Sequence, residues 1–570
     1  MKRNKILNTK KLRNEDHKVL CVTLFLSFFV VSISFAQSVE VRKKVIGDVA
    51  RQEGPPYFAK IAARIKTNFK TEVACSQLDT LLAREQGDMF WMYGCAGLYY
   101  SCKSELPQSY KDKVRRAWKL CTPYRGDTDN HFLMYYSSLY LMAQEWDDLS
   151  ESEWFLGKSS KQITKESKEY LEHWIDETVR YGMSEFDSPR YMYYYITPLV
   201  LLAEYVADGK FKTKCEMMLE LLLADYAHDY YFGNYVGAHS RVGFDQALDS
   251  RKAETASYGQ FYFEDSVSLV MPDVAFAAMG KWECPEIIKK IATKKTFPFK
   301  SIEEQRVRKV VRGEEDQRVP VKRMLMTKHF ALGSMNGGLV SPIQQQSWTL
   351  TINTSKENNV VTGLHPYVSA SELGKYFPEK PSWQLERIEA TKKGYSSEDK
   401  FIGGSPYESI HQEGHILYVD YVNVPQDVRY QHCDIIFPKW VREYADHDSA
   451  LHVGVVFGLD STTVQICTKS RYSWAGDGNY LRIRIPFVDG KASYTMECFS
   501  SQDIADGYQP RSAIMGPPVR STKYRPRKES QYAFESPYVK KMRGANVVRL
   551  LWKNQSRTLD FKANRIIEKK

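Results

Sequence analysis

The spacing of apolar residues changes once along this chain, and that change limits the fold more than anything else in the sequence. From about Gln52 to Lys290 the apolar positions recur at helical spacing. Tyr170, Leu171, Trp174, Ile175 and Val179 form one such face, and Phe132–Trp146, Tyr191–Val206 and Phe211–Ala227 read the same way. Loops rich in Gly, Asp, Ser and Pro separate these runs at Pro123–Asn130, Gly182–Pro189 and Gly233–Gly243. Long helices joined by short turns stack as antiparallel hairpins, and several hairpins in series curve into an α/α toroid, here an incomplete barrel over 37–285. The stretch 286–325 is rich in charge and reads as a linker. From 326 to 570 the period is two: Leu451, Val453, Val455 and Phe457 alternate, as do Leu481, Ile483 and Ile485, and Val548, Leu550 and Trp552. With turns such as Gly476-Asp477-Gly478 and Asp489-Gly490 between the runs, this half reads as an antiparallel β-sandwich. The expected fold class is therefore multidomain, with helices first and sheet second.

Residues 1–36 read as a secretory signal peptide. Lys2, Arg3, Lys5, Lys10, Lys11, Arg13 and Lys18 precede an apolar run from Val19 to Phe35, and Ser34-Phe35-Ala36 offers a small-x-small cleavage site before Gln37. The run is close to spanning length, but polar sequence follows the cleavage site at once, which favours processing over anchoring. The mature chain is expected to be periplasmic or secreted, without a membrane anchor.

Seven basic residues against Glu15 and Asp16 give that segment a charge of +5, so the chain's +11 leaves +6 beyond it. That is a mild bias towards anionic partners. No block of Lys and Arg resembles a nucleic-acid arm, because the most basic stretch, Lys289–Arg323, is interrupted by acids. Nine cysteines remain after Cys21, an odd number at irregular spacing, which is not a disulfide framework. The 37 Tyr and 11 Trp form a high aromatic load, suited to the C–H faces of sugar rings as well as to cores.

Three polar loops at expected helix ends carry the reactive side chains. In Gly126-Asp127-Thr128-Asp129-Asn130-His131, Asn130 and His131 stand where a helix N-terminus would receive an anion, although simple capping is the plainer reading. In the second loop, Ser188-Pro189 reads as a helix start, with Glu185, Asp187, Arg190 and Tyr191 as candidate substrate contacts. The third runs from Tyr230 to Arg241 and holds Tyr231, Tyr235, His239 and Arg241 among glycines, a set costly to bury for packing alone. Tyr258 lies a little further on. In the second half Tyr407, in Gly403-Gly404-Ser405-Pro406-Tyr407-Glu408, is a further candidate substrate contact.

Asn, His, Arg and Tyr together suit β-elimination of a uronic-acid polysaccharide. The C5 proton becomes removable once donors neutralise the adjacent carboxylate; a Tyr or His then takes it, and a Tyr protonates the leaving oxygen. An Asn-His loop, a Glu-x-x-Ser-Pro helix start at Glu185–Pro189, a helical toroid and a C-terminal sandwich resemble the toroid-plus-sandwich polysaccharide lyases, the group of heparinase-like, chondroitin/hyaluronan and alginate lyases. The resemblance covers most of the mature chain in architecture, and its motifs are short. It implies neutraliser or base roles for Asn130, His131, His239 and Arg241, an acid/base tyrosine at Tyr235 or Tyr258, and an acidic polysaccharide as partner. Some lyases of this architecture hold a structural metal, but the spacing of His365, His411 and His415 does not support one, and no cofactor is expected. Two other functions compete. A glycoside hydrolase would use paired carboxylates among Asp129, Glu185, Asp187 and Asp225. A non-catalytic glycan-binding protein would lack the converging His/Arg/Tyr set.

Overall fold

The computed structural model describes residues 39–569 apart from 85, 121, 155, 308–318, 342, 370–380, 392, 442, 449–452, 477–479 and 512–530. The expected signal segment, Leu451 and the 477–478 turn lie outside the described residues. No helix among those described is long and apolar enough to cross a membrane.

The first half is helical: α1 (39–51), α2 (Phe58–Thr67), α3 (Thr71–Leu82), α4 (Met89–Cys102), α5 (Gln108–Leu120), α6 (Asp129–Glu145), α7 (Ser160–Tyr181), α8 (Tyr193–Tyr205), α9 (Gly209–His228), α10 (Glu254–Phe263), α11 (Val274–Met279) and α12 (Glu286–Thr293). Alternate helices α2, α4, α6 and α8 lie side by side, while α7 packs on α6 and α9 on α8. The two sets differ in sequence for this reason. The α4 run MFWMYGCAGLYYSC is apolar all round and almost wholly buried. The outer α7 buries one stripe, Ile163, Leu171, Trp174, Ile175 and Val179, and starts with a capping box between Ser159 and Gln162.

The second half is built on two antiparallel sheets, one of 13 strands and one of six. They share a core in which Leu325, Phe330, Leu332, Ile435 and Ile483 of the large sheet meet Leu417, Val455, Phe457 and Ile466 of the small one. The other face of the large sheet packs on the helices. Along Phe330–Met335, Phe330 and Leu332 enter the shared core, whereas Ala331 and Met335 enter the helical core. The central strands are therefore buried on both faces, and the large sheet is the middle of three layers. Val548, Leu550 and Trp552 alternate as expected, but their apolar face meets helices rather than a second sheet.

The stretch 286–325 is not a linker. It contains α12, which packs on α9, and the strands Phe299–Glu304 and Val321–Met326, which pair with each other inside the large sheet. Its charges misled because several are buried in pairs: Lys322 bonds Glu303 across the two strands. The eight described cysteines are all free thiols.

The helical half crosses the sheet at a contact between glycines. A Cβ on Gly333 would fall 2.5 Å from the Cα of Gly237, whose φ of +113° itself favours glycine. That close approach lays the segment after Gly237 along the sheet, where the candidate site forms.

Candidate active site

Residues 239–242 run extended beside 344–346. His239 N–H donates to the Gln346 carbonyl at 2.9 Å, Gln346 N–H returns the bond at 2.9 Å, and Val242 N–H donates to Gln344 at 2.8 Å. On the other side Ser240 N–H reaches the Phe186 carbonyl at 3.2 Å. The loops around Glu185 and Arg241 thus lie against each other, and alternate residues pair: Glu185 with Arg241, and the Asp187 carbonyl with His239.

Arg241 is the centre of the first pairing. Its Nη1 bonds the buried Glu185 carboxylate, its Nε donates to Gln344 Oε1 at 3.0 Å, and its guanidinium lies 3.7 Å above the Tyr191 ring. Burial works against the charge, but Glu185 more than restores it and holds the group cationic. Tyr191 OH accepts from Gln344 Nε2 at 3.3 Å. Asn130 is fully buried beside this cation. Its Oδ1 accepts from Thr128 Oγ1 at 2.5 Å and faces Arg241 Nη1 at 3.5 Å, which orients the amide, and its Nδ2 has no acceptor among the described residues. A buried donor left unsatisfied costs about 1–3 kcal/mol, a cost that a bound acceptor would remove.

The rim closes through aromatic rings. Tyr191 meets Tyr194 at 6.4 Å, Tyr194 meets Phe90 at 5.3 Å, and Phe90 meets His131, the neighbour of Asn130, at 5.7 Å. Phe90, Asn130 with His131, and Tyr194 open α4, α6 and α8 respectively, so three helix N-termini converge on one basin and bias it towards anions. Arg190, bonded to Glu254 at 3.2 Å, and Tyr395 from the second half stand at the same rim; the Tyr395 hydroxyl, pushed up by burial and by Tyr191, is drawn back by Arg241 and Arg190.

His239 has a defined tautomer. A carbonyl can only accept, so Nδ1–H donates to Asp187 O and the lone pair sits on Nε2. Burial lowers its pKa to about 4, which keeps the ring neutral over most of the pH range.

Asp187 belongs to a second cluster, sealed in the joint between helices and sheet. Lys322 bonds its carboxylate, Asp229 at 3.1 Å and Glu303 at 2.7 Å, while Tyr235 OH donates to Asp187 Oδ1 at 3.2 Å. Burial pushes the Asp187 carboxyl up. At Asp229 burial acts the same way, but Lys322 and His228 outweigh it and bring that carboxyl down.

The sequence-derived site is thus divided. Asn130, His131, Arg190, Tyr191, Arg241 and Glu185 meet at one basin, while the His239 ring, two residues before Arg241, lies against the Asp187 carbonyl and the Tyr235 ring. Glu185 is spent on Arg241 and Tyr195, and Asp187 on Lys322 and Tyr235, so neither is placed as a sugar contact. Tyr258 is buried inside the bundle, bonded to Thr197 at 2.8 Å and stacked beside Tyr262, and Tyr231 is buried against Phe232 and Phe297. Tyr407 packs beside His365 and Tyr367 in the second half. His365 bonds Ser405 and the Tyr430 carbonyl, His411 pairs with Glu413, and His415 stacks on Tyr508, so the three do not converge on a metal. Ser188-Pro189 opens a turn, with Ser188 Oγ accepting from Tyr191 N–H at 2.8 Å, and the regular helix starts at Tyr193. Asp129 is not a cap; its carboxylate bonds Ser184 and, at 3.1 Å, the buried Arg306. Phe90, Tyr194, Gln344 and Tyr395 were missed. Only Gln344-Gln345-Gln346, a polar triplet ahead of an apolar strand, carried a signal.

Comparison of the chain with models of known protein families finds no match, and comparison with curated proteins finds none.

Proposed function

We propose that the chain is an exported polysaccharide lyase, its helices an incomplete α/α toroid, that cleaves a uronic-acid-containing polysaccharide by β-elimination at this basin. The observation that carries the reading is the Asn130 amide: a buried donor without an acceptor among the described residues, beside a fixed guanidinium, at converging helix N-termini. Those groups suit a carboxylate and would neutralise it as negative charge spreads onto it from C5. His239, neutral with its lone pair on Nε2, takes the C5 proton. Tyr191, held by Gln344 under Arg241, gives a proton to the leaving glycosidic oxygen, and the C4–O bond breaks as the C4–C5 double bond forms. His131, Phe90 and Tyr194 supply the wall against which a sugar ring packs.

The paired-carboxylate alternative loses support because Glu185 and Asp187 are each held by a buried cation rather than placed across a cleft. The test is to incubate the purified chain with acidic polysaccharides and follow the ultraviolet absorbance of an unsaturated uronide. Wild type is expected to generate it from at least one uronide. No absorbance from any, with new reducing ends instead, would replace the lyase by a hydrolase.

A further inference from the structure

Among the described residues, the large sheet extends past the edge of the small one, and the face left uncovered is cationic. Strand pairing sets Arg323, Ile302, Glu535, Lys540 and Arg549 in one row across five strands, so all five point to the same side. That side is the one from which Leu325, two residues after Arg323, enters the core between the sheets. Beyond Gln412 and Gly414 the small sheet ends, and a groove of about 560 Å³ opens over Arg323, Ile302, Glu535 and Lys540 of this row, with Arg549 beyond its edge. Lys300 reaches across it: a Cβ on Gly414 would lie 3.0 Å from its Nζ, and Gly414, at φ +59°, leaves the space open.

Two acids of the same strands are committed elsewhere and a third lines the groove. Glu303 bonds Lys322 on the opposite face and Glu304 bonds Arg543, while Glu535 stands in the row itself. At the usual strand spacing Lys540 lies about 14 Å and Arg549 about 19 Å from Arg323. Cations strung along a line do not converge on one compact anion; they match charges repeated along a chain. Ile302, Pro537 and Leu551 provide apolar floor between them. Nucleic acid is the poorer fit, because single strands need successive stacking rings and this face offers Tyr532, already under Lys540.

We infer that this groove is a second binding site, for a linear acidic polysaccharide, separate from the basin at Arg241. It rests on the lyase reading only for the kind of glycan: the site would hold the polymer that the basin cuts.

The test is affinity electrophoresis of the full chain through gels containing polygalacturonate or heparin, with a single-stranded oligodeoxynucleotide as a third arm. Wild type and Arg241→Lys should be retarded by at least one of the two polysaccharides. Lys300→Glu/Lys540→Glu, with an unchanged melting temperature, should bind at least about tenfold more weakly. Should that pair not fold, Arg549→Glu, on an exposed position, reads the same surface. Retardation of the charge-reversed variants equal to wild type, no retardation of wild type by either polysaccharide, or equal retardation by the oligodeoxynucleotide would each overturn the proposal. Retardation needs no turnover. If no uronide is cleaved the lyase reading fails, yet this result still decides the groove.

Discussion

Glu185 and Asp187 stand two residues apart on one loop, opposite Arg241 and His239, two apart on another, and the two pairings have different fates. Glu185 and Arg241 form an ion pair whose guanidinium still lies over Tyr191 and next to the unsatisfied Asn130 amide. Asp187 turns inward to Lys322, which also carries Asp229 and Glu303, and the whole group is closed between the helices and the large sheet. Residue type does not separate a site from a clamp, since both hold a cation, carboxylates and a tyrosine. What separates them is where the unspent group lies: that of the Lys322 cluster, His228 Nε2, is closed between helices and sheet, whereas Asn130 Nδ2 stands beside Arg241 and Tyr191. The Lys322 cluster uses its cation on three acids at once, whereas the Arg241 cluster leaves Asn130 Nδ2 waiting.

The largest expected effect belongs to the clamp. Lys322→Met strands Asp187, Asp229 and Glu303 in the interior, and breaking a buried pair in this way costs about 3–5 kcal/mol. Urea denaturation should read this as a lower midpoint; a midpoint equal to wild type would mean the cluster is not a clamp. Asn130→Ala should do the reverse. Its cost falls on turnover, by analogy with losing an oxyanion donor at about 3–4 kcal/mol, or roughly 10²- to 10³-fold in kcat, with a stability change small beside that of Lys322→Met.

His239 bonds the Asp187 carbonyl two residues before Arg241, and its pH behaviour sharpens the division. Its folded pKa, lowered to about 4, is below the unfolded value of about 6.5. Neutral His239 therefore contributes stability in full above about pH 6.5, and that contribution is lost as pH falls towards 4. As the proton acceptor it would also set the acid limb of kcat/KM near pH 4. A limb near the ordinary histidine value would remove His239 from that role. The smallest effects on stability come from two hydroxyl deletions. Tyr191→Phe keeps the ring beneath Arg241 and should lower kcat with little change in melting temperature. Tyr235→Phe loses one hydrogen bond to Asp187, about 1 kcal/mol of stability, and should leave kcat alone.

Much of the helical half was legible in the sequence because one-sided helices announce their period. The face of α7 is an example. The same reading put a linker at 286–325, since charge density cannot distinguish a solvated segment from strands whose charges are buried in pairs, as Lys322 and Glu303 are. Alternation at Val548, Leu550 and Trp552 identified a strand but not its cover, because period two is the same against helices as against a sheet. In the site, Asn130, Arg241 and Tyr191 stood out through loop composition. Tyr258 did not belong with them, because a tyrosine-rich chain uses most of its phenols in the core, and this one bonds Thr197. Gln344 and Tyr395 come from the second half and reach the basin only through long-range pairing, which no local pattern records.

Elimination at the Arg241 basin, as proposed, would break a glycosidic bond without water as a reactant. Digestion of a uronide in water enriched in heavy oxygen, followed by mass spectrometry of the products, tests this directly. Elimination predicts unsaturated fragments that carry no heavy oxygen from solvent at the cleaved bond, and their loss in Asn130→Ala. One heavy oxygen per bond broken, in saturated products, would contradict it.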